Sequence, residues 1–304
     1  GSSSVGVPAD RQEDYDDRCD GVDEPVEVCV WRLENAASRD LQLGFYDRRA
    51  VMWTLDSDLN VVDTTNLGLG MTPNEGEDNA FVSIALAVNS DGYAVGYSHV
   101  RRINSDTSER TMPVLFKDGE VIELLDQDDD WRGGKALAIN DEGIVVGYGV
   151  KTIDGRTTTK FFHYDIATGA ATFPTDYFSS SSSAARDINA NGVIVGEGET
   201  SAVSSSSRRR EGFVYSIGDD KIANINDLLP CYDTDGESLY PYSFSEATAI
   251  DDDGNIYGVA TKTVEKLNTR GEVEVDTSGN VLFESVATPV MLRPIAGGEI
   301  EQCP

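Results

Sequence analysis

Hydrophobic and polar residues alternate over short runs along most of this chain, and clusters of Gly, Asp, Asn and Ser break the runs at short intervals. Runs such as Tyr93-Ala94-Val95, Ile144-Val145-Val146 and Thr111–Phe116 predict strands, because β-branched and aromatic side chains suit a pleated surface. No apolar face with a helical period survives past a turn or two, which argues against a helix-rich fold. The alternation predicts hairpins: 111–116 with 121–125, 160–164 with 170–173, 212–216 with 221–225, and 288–293 with 299–301 across Gly297-Gly298. Ala50–Leu55 and Leu59–Val62 predict one more hairpin, with segments 26–33 and 41–46 as candidates for the inner half of its sheet.

One pattern recurs four times in the same internal register. The copies are Ala85–Gly96, Ala136–Gly147, Ala185–Gly196 and Ala247–Gly258, with starts 51, 49 and 62 residues apart. The rule is A-x-[AD]-[VI]-[ND]-x-x-G-x-x-x-G. Asn89, Asn140, Asn189 and Asp251 stand where a side-chain oxygen accepts from a backbone N–H two residues on and starts a turn. Gly92, Gly143, Gly192 and Gly254 follow three residues later, where a hairpin loop needs positive φ. The second glycine, Gly96 or Gly147, predicts close approach of a neighbouring sheet. Each copy with its following hairpin makes four strands, and periods of this length mark propellers and similar arrays. The prediction is an all-β chain: a β-propeller of about five four-stranded blades over 49–304, after an acidic segment, 1–48, with a disulfide loop and inner strands of the first blade. The opening Gly1–Val7 predicts a tag remnant or a processed mature end, and the chain reads as a piece of a longer protein.

These copies resemble the HAF-repeat family of bacterial extracellular proteins, whose hallmark is a recurring A-x-x-I-N-x-x-G-x-V-V-G. Ala136–Gly147 fits it throughout. Asp251 replaces the asparagine in the last copy, and Ala94-Val95 stands before Gly96 where the family has Val-Val. The resemblance covers about residues 80–300. It implies export and a propeller-like fold. It implies no activity and carries over no catalytic residue.

Charge narrows the partners. The 304 residues hold 24 Lys+Arg against 54 Asp+Glu, a net charge of −30, which repels phosphate backbones and excludes nucleic acid as a natural partner. No apolar run has the length of a membrane span. Four cysteines without a CxxC pair, beside only His99 and His163, predict disulfides rather than zinc. Sequence proximity pairs Cys19 with Cys29 and Cys231 with Cys303, in an oxidising compartment: extracellular, cell-surface or periplasmic.

Candidate chemistry is sparse. Asp233, Asp235 and Glu237 alternate around Gly236 and form the best candidate metal site, with Ca²⁺ as the suited cation. Asp251–Asp253 and Asp126–Asp130 are similar in composition, and no cofactor is required. Motif reading assigns no catalytic residue: there is no GxSxG, HExxH or phosphate-cradling loop. Trp131, after three aspartates, is the aromatic that reads as exposed and able to stack on a sugar, with a loop tryptophan that caps the core as an equal alternative. Ser179–Ser183 and Ser204–Ser207, before Arg208-Arg209-Arg210, predict flexible loops. The expected function is a non-catalytic binding module for an extracellular protein or glycan. The alternatives are a lectin using Trp131 and neighbouring loop tyrosines, or a polysaccharide-active enzyme with acidic residues on the propeller face.

Overall fold

The computed structural model describes residues 1–6, 9–39, 47–77, 80–202, 208–232, 236, 242–295 and 297. Among the described residues the chain is all-β apart from one helical hairpin and two 3₁₀ turns, and the strands form five antiparallel sheets of three or four strands. It divides into two compact units, Gly1–Ile139 and Asn140–Pro304, so the segment 1–48 belongs with the first unit.

In the first unit β1 (Ser2–Gly6), β2 (Asp47–Leu55) and β3 (Val61–Gly68) form one sheet in that order. A second sheet runs β4 (Ser83–Val88), β5 (Ala94–Arg101), β6 (Glu109–Lys117) and β7 (Glu120–Glu123), and β8 (Gly133–Ile139) ends the unit. The first sheet takes its inner strand from the opening residues: Ser2 pairs with Ala50 and Ser3 with Arg49. Segment 26–33 is not a strand, which corrects the prediction, and 41–46 lies outside the described residues.

Between β1 and β2 the chain forms α1 (Ala9–Cys19) and α2 (Val26–Arg39). The alternating Val26-Glu27-Val28-Cys29-Val30 has strand-like propensity, and tertiary packing overrides it. Pro25 stands just ahead of α2, where its missing N–H costs nothing, and its carbonyl accepts from Val28 and Cys29. Val30 and Leu33, three apart on one face, pack against Tyr15 of α1. A Cys19–Cys29 disulfide closes the pair.

In the second unit β9 (Ile144–Ile153), β10 (Arg156–Asp165) and β11 (Ala170–Thr172) pair antiparallel in sequence. β12 (Ser183–Ile188), β13 (Val193–Ala202), β14 (Arg208–Ser216) and β15 (Lys221–Asn224) make the next sheet. β16 (Tyr242–Ile250), β17 (Ile256–Glu265) and β18 (Phe283–Leu292) make the last. Four of the five predicted outer hairpins appear, as β2–β3, β6–β7, β10–β11 and β14–β15; the return strand 299–301 of the fifth lies outside the described residues.

Successive sheets of this unit pack through large apolar side chains. Phe161 of β10 lies 4.8 Å from Phe213 and 5.5 Å from Tyr215 of β14, ring centroid to centroid. Phe244, Ala247 and Ile250 of β16 bury with Val195 of β13 and Ile225. Burying each phenylalanine contributes about 1.5–3 kcal/mol. These side chains hold the hairpin turns described next.

Candidate functional site

Each motif copy builds the same five-residue turn. In the second copy the Asn140 N–H donates to Ile144 O at 3.1 Å and the Gly143 N–H to Asn140 O at 3.2 Å. The Asn140 Oδ1 accepts from the Ile144 N–H at 2.8 Å. The other copies repeat it, with Asn89 accepting from Tyr93, Asn189 from Val193 and Asp251 from Asn255, at 3.0, 3.0 and 2.8 Å. The recurring side-chain bond thus reaches four residues on; the predicted two-residue bond accompanies it at Asn189, which accepts from Asn191 at 3.1 Å. Gly92, Gly143, Gly192 and Gly254 have φ of 77°, 80°, 73° and 83°, the left-handed region that side chains resist.

The second glycine of the motif answers to its own sheet, a correction to the predicted neighbouring sheet. Pairing slips by one residue between Ala185 and Asp187 on β12, a β-bulge. The bulge turns the Ala184 carbonyl toward β13, and a Cβ at Gly196 would sit 2.1 Å from that oxygen. Gly96 and Gly258 face Ile84 O and Glu246 O in the same way, at 1.9 and 2.1 Å.

In the second unit the turns are joined in series. Asn140 donates its side-chain N–H to Asn189 O at 3.1 Å, and Asn189 donates to Asp251 O at 3.1 Å. One asparagine therefore closes its own turn through Oδ1 and tethers the next through Nδ2. Asp251, in the last copy, has no side-chain N–H to pass on. Its second oxygen accepts from the Asn255 side chain at 2.8 Å and the Tyr257 hydroxyl at 3.0 Å. The Asn255 side chain, then its backbone N–H and Tyr257, hold the Asp251 carboxyl below its usual range. Ala190 N–H and the Asn191 side chain also bond Asp252, at 2.9 and 3.2 Å. Asp187, at the motif's third position, accepts from Ile188 N and Ile250 N, both at 2.9 Å. Burial outweighs those bonds and raises its pKa.

Serines ahead of the motif, which sequence reading missed, tie sheets together at a second level. Ser83 accepts from Ala50 N at 2.9 Å and donates to Gly68 O. Ser183, at the equivalent position, accepts from Phe161 N at 3.1 Å and donates to Asp176 at 2.9 Å. Their signal was present: both stand two residues before the motif alanine.

The remaining predicted residues scatter. Asp233, Asp235 and Glu237 lie outside the described residues, and among the described residues no cluster of three His, Cys, Asp or Glu is disposed to hold a metal. Asp126 caps the 3₁₀ turn Gln127–Asp129 by accepting from Asp128 N at 2.8 Å. Cys231 is disulfide-bonded, and its predicted partner, Cys303, lies outside the described residues. His99 lies on β5, where its Nδ1 accepts from Val82 N, and His163 lies on β10 stacked on Tyr215; burial lowers both pKa values. Trp131 is only 7% exposed, and its carbonyl accepts from Arg110, which fits the core-capping alternative and not the exposed ring. Arg208–Arg210 are part of β14, with Arg208 bonded to the buried Glu199 at 3.0 Å, while Ser204–Ser207 lie outside the described residues. Ser181–Ser183 are buried, not a flexible loop.

Among the described residues no helix is long and apolar enough to cross a membrane. No curated protein matches the chain. The family described as a protein of unknown function (DUF3466) matches residues 1–304, and the chain belongs to that family.

Proposed function

We propose that this chain is an exported β-propeller that serves as a non-catalytic binding module. The observation that carries the reading is the serial tether Asn140–Asn189–Asp251. It sets the same end of consecutive sheets side by side, as blades around an axis would be. The five antiparallel sheets among the described residues support the blade count. The Cys19–Cys29 disulfide and oxidised Cys231 support export to an oxidising compartment. The turn asparagines spend their side chains on backbone N–H and C=O groups, so the motif builds a rigid frame and leaves recognition to what the frame presents.

The ligand is an extracellular protein or glycan. Trp131 is buried, which leaves the neighbouring loop tyrosines to carry the lectin alternative. The test applies the full chain to immobilised polysaccharides and extracellular proteins while monitoring product release. Saturable binding without turnover is the expected result. Catalytic turnover of a polysaccharide, abolished by a single carboxylate substitution, overturns the reading.

A further inference from the structure

We propose that the disulfide-clamped helical hairpin of residues 9–39 is a docking epitope for a partner protein that offers an apolar groove edged by basic side chains. The hairpin is an insertion between β1 and β2, outside the repeat pattern. Its interior is small: Tyr15 against Val30 and Leu33, with the buried Cys19–Cys29 bond beside them. Its other described apolar side chains face outward. Trp31 is 64% exposed, Val26 56% and Val28 47%, and Val22 in the connecting turn is also exposed. Val28 and Trp31 are three apart on α2 and share a face. An exposed tryptophan among valines on a rigid support is the composition of an interface centre.

Charge selects the occupant. Exposed Asp17, Asp20, Asp23 and Glu27 surround these apolar residues in sequence, and Glu27 lies four before Trp31, on the same helix face. Glu24 pairs with Arg32 on α2, which fixes the connecting turn against the helix. An apolar centre within an acidic margin complements a basic-edged groove and repels anionic lipid. A second copy of this chain, at net charge −30, is disfavoured by the same repulsion.

This inference rests on the binding-module reading and names one surface for it. The test uses the full chain and a synthetic amphipathic peptide of leucine and lysine, with leucines at helical spacing. A peptide of equal charge, with serine in place of leucine, is the control. The leucine peptide binds, the serine peptide binds far more weakly, and Trp31→Ala and Val28→Ser each weaken binding roughly tenfold or more. Both side chains are exposed, so unchanged circular dichroism accompanies the loss. Trp53→Ala, which removes an exposed tryptophan on β2, leaves binding unchanged. Equal binding of the two peptides, no loss on Trp31→Ala, or a self-association that Trp31→Ala abolishes each overturns the proposal. The two readings fail separately: polysaccharide turnover overturns the binding module whatever the peptides do, while protein or glycan binding that Trp31→Ala leaves intact overturns only this epitope.

Discussion

The turn at Asn189 and the helical hairpin at Cys19–Cys29 are both short reversals of the chain, and they are stabilised in opposite ways. Asn189 and Gly192 supply the turn from within five residues: one side-chain acceptor, one left-handed glycine and a closing backbone pair. The helical hairpin relies on Tyr15 meeting Val30 and Leu33 across the connection, and on a covalent bond. Local chemistry can be copied, and the motif turn appears four times. The hairpin is a single insertion, so its surface is free to specialise without disturbing the repeat.

Substitutions separate the two regimes. The largest effect is expected inside the repeat, at Gly196→Ala, because the added Cβ meets the backbone oxygen of Ala184 rather than a flexible side chain. Relief requires the bulge to shift, and urea denaturation should show a loss of about 3 kcal/mol. Next is the double variant Cys19→Ser, Cys29→Ser. Releasing a loop of this size costs about 2–3 kcal/mol. The loss should appear as a lower helical signal in circular dichroism, with the sheet transition in place; a sheet transition that falls with it would show that the hairpin supports the repeat.

Asn140→Ala follows, at about 2 kcal/mol, since it removes two hydrogen bonds of a buried side chain. Gly143→Val, which forces a β-branched residue to φ of 80°, should cost about 1–3 kcal/mol, and the tether to Asn189 brings Asn140→Ala level with it. The smallest effect is at the half-buried Arg101–Glu77 pair of the first unit. The Arg101 side chain, followed by the Asn74 N–H, lowers the Glu77 pKa to about 2. A depressed carboxyl pKa stabilises above the ordinary glutamate range, and that contribution is lost as pH falls toward about 2. Glu77→Gln should therefore lower the urea midpoint slightly at neutral pH, and the difference from the parent should vanish near the lower limit.

What the sequence reveals follows the same division. Strands, outer hairpins, the four turn glycines and the Cys19–Cys29 pair are legible because each depends on residues close in sequence. Segment 26–33 misleads because its valines favour a strand, while the packing of Val30 and Leu33 against Tyr15 of the preceding helix favours a helix. Trp131 misleads because three preceding aspartates describe the loop and not the direction of the ring. The tether is hidden for another reason: Asn140 and Asn189 are 49 residues apart, and a turn-forming asparagine already has a sufficient local explanation. Some turns were legible and missed. Asn268-Thr-Arg-Gly271 and Asp276-Thr-Ser-Gly279 keep the motif spacing without its alanine, and both side chains accept from the residue four on.

The central claim is that the turn asparagines hold successive sheets together as well as closing their own turns. Asn189→Asp tests it most directly, because aspartate keeps the acceptor for Val193 N and loses only the donor to Asp251 O. Urea denaturation in molar salt reduces the repulsion from Asp251 and Asp252, while the burial cost of a carboxylate at a position 3% exposed adds to the loss of the donor. The account predicts a loss of at least about 1 kcal/mol that persists at high salt. A variant as stable as the parent under those conditions would contradict it, and would reduce the repeat to a set of self-contained turns.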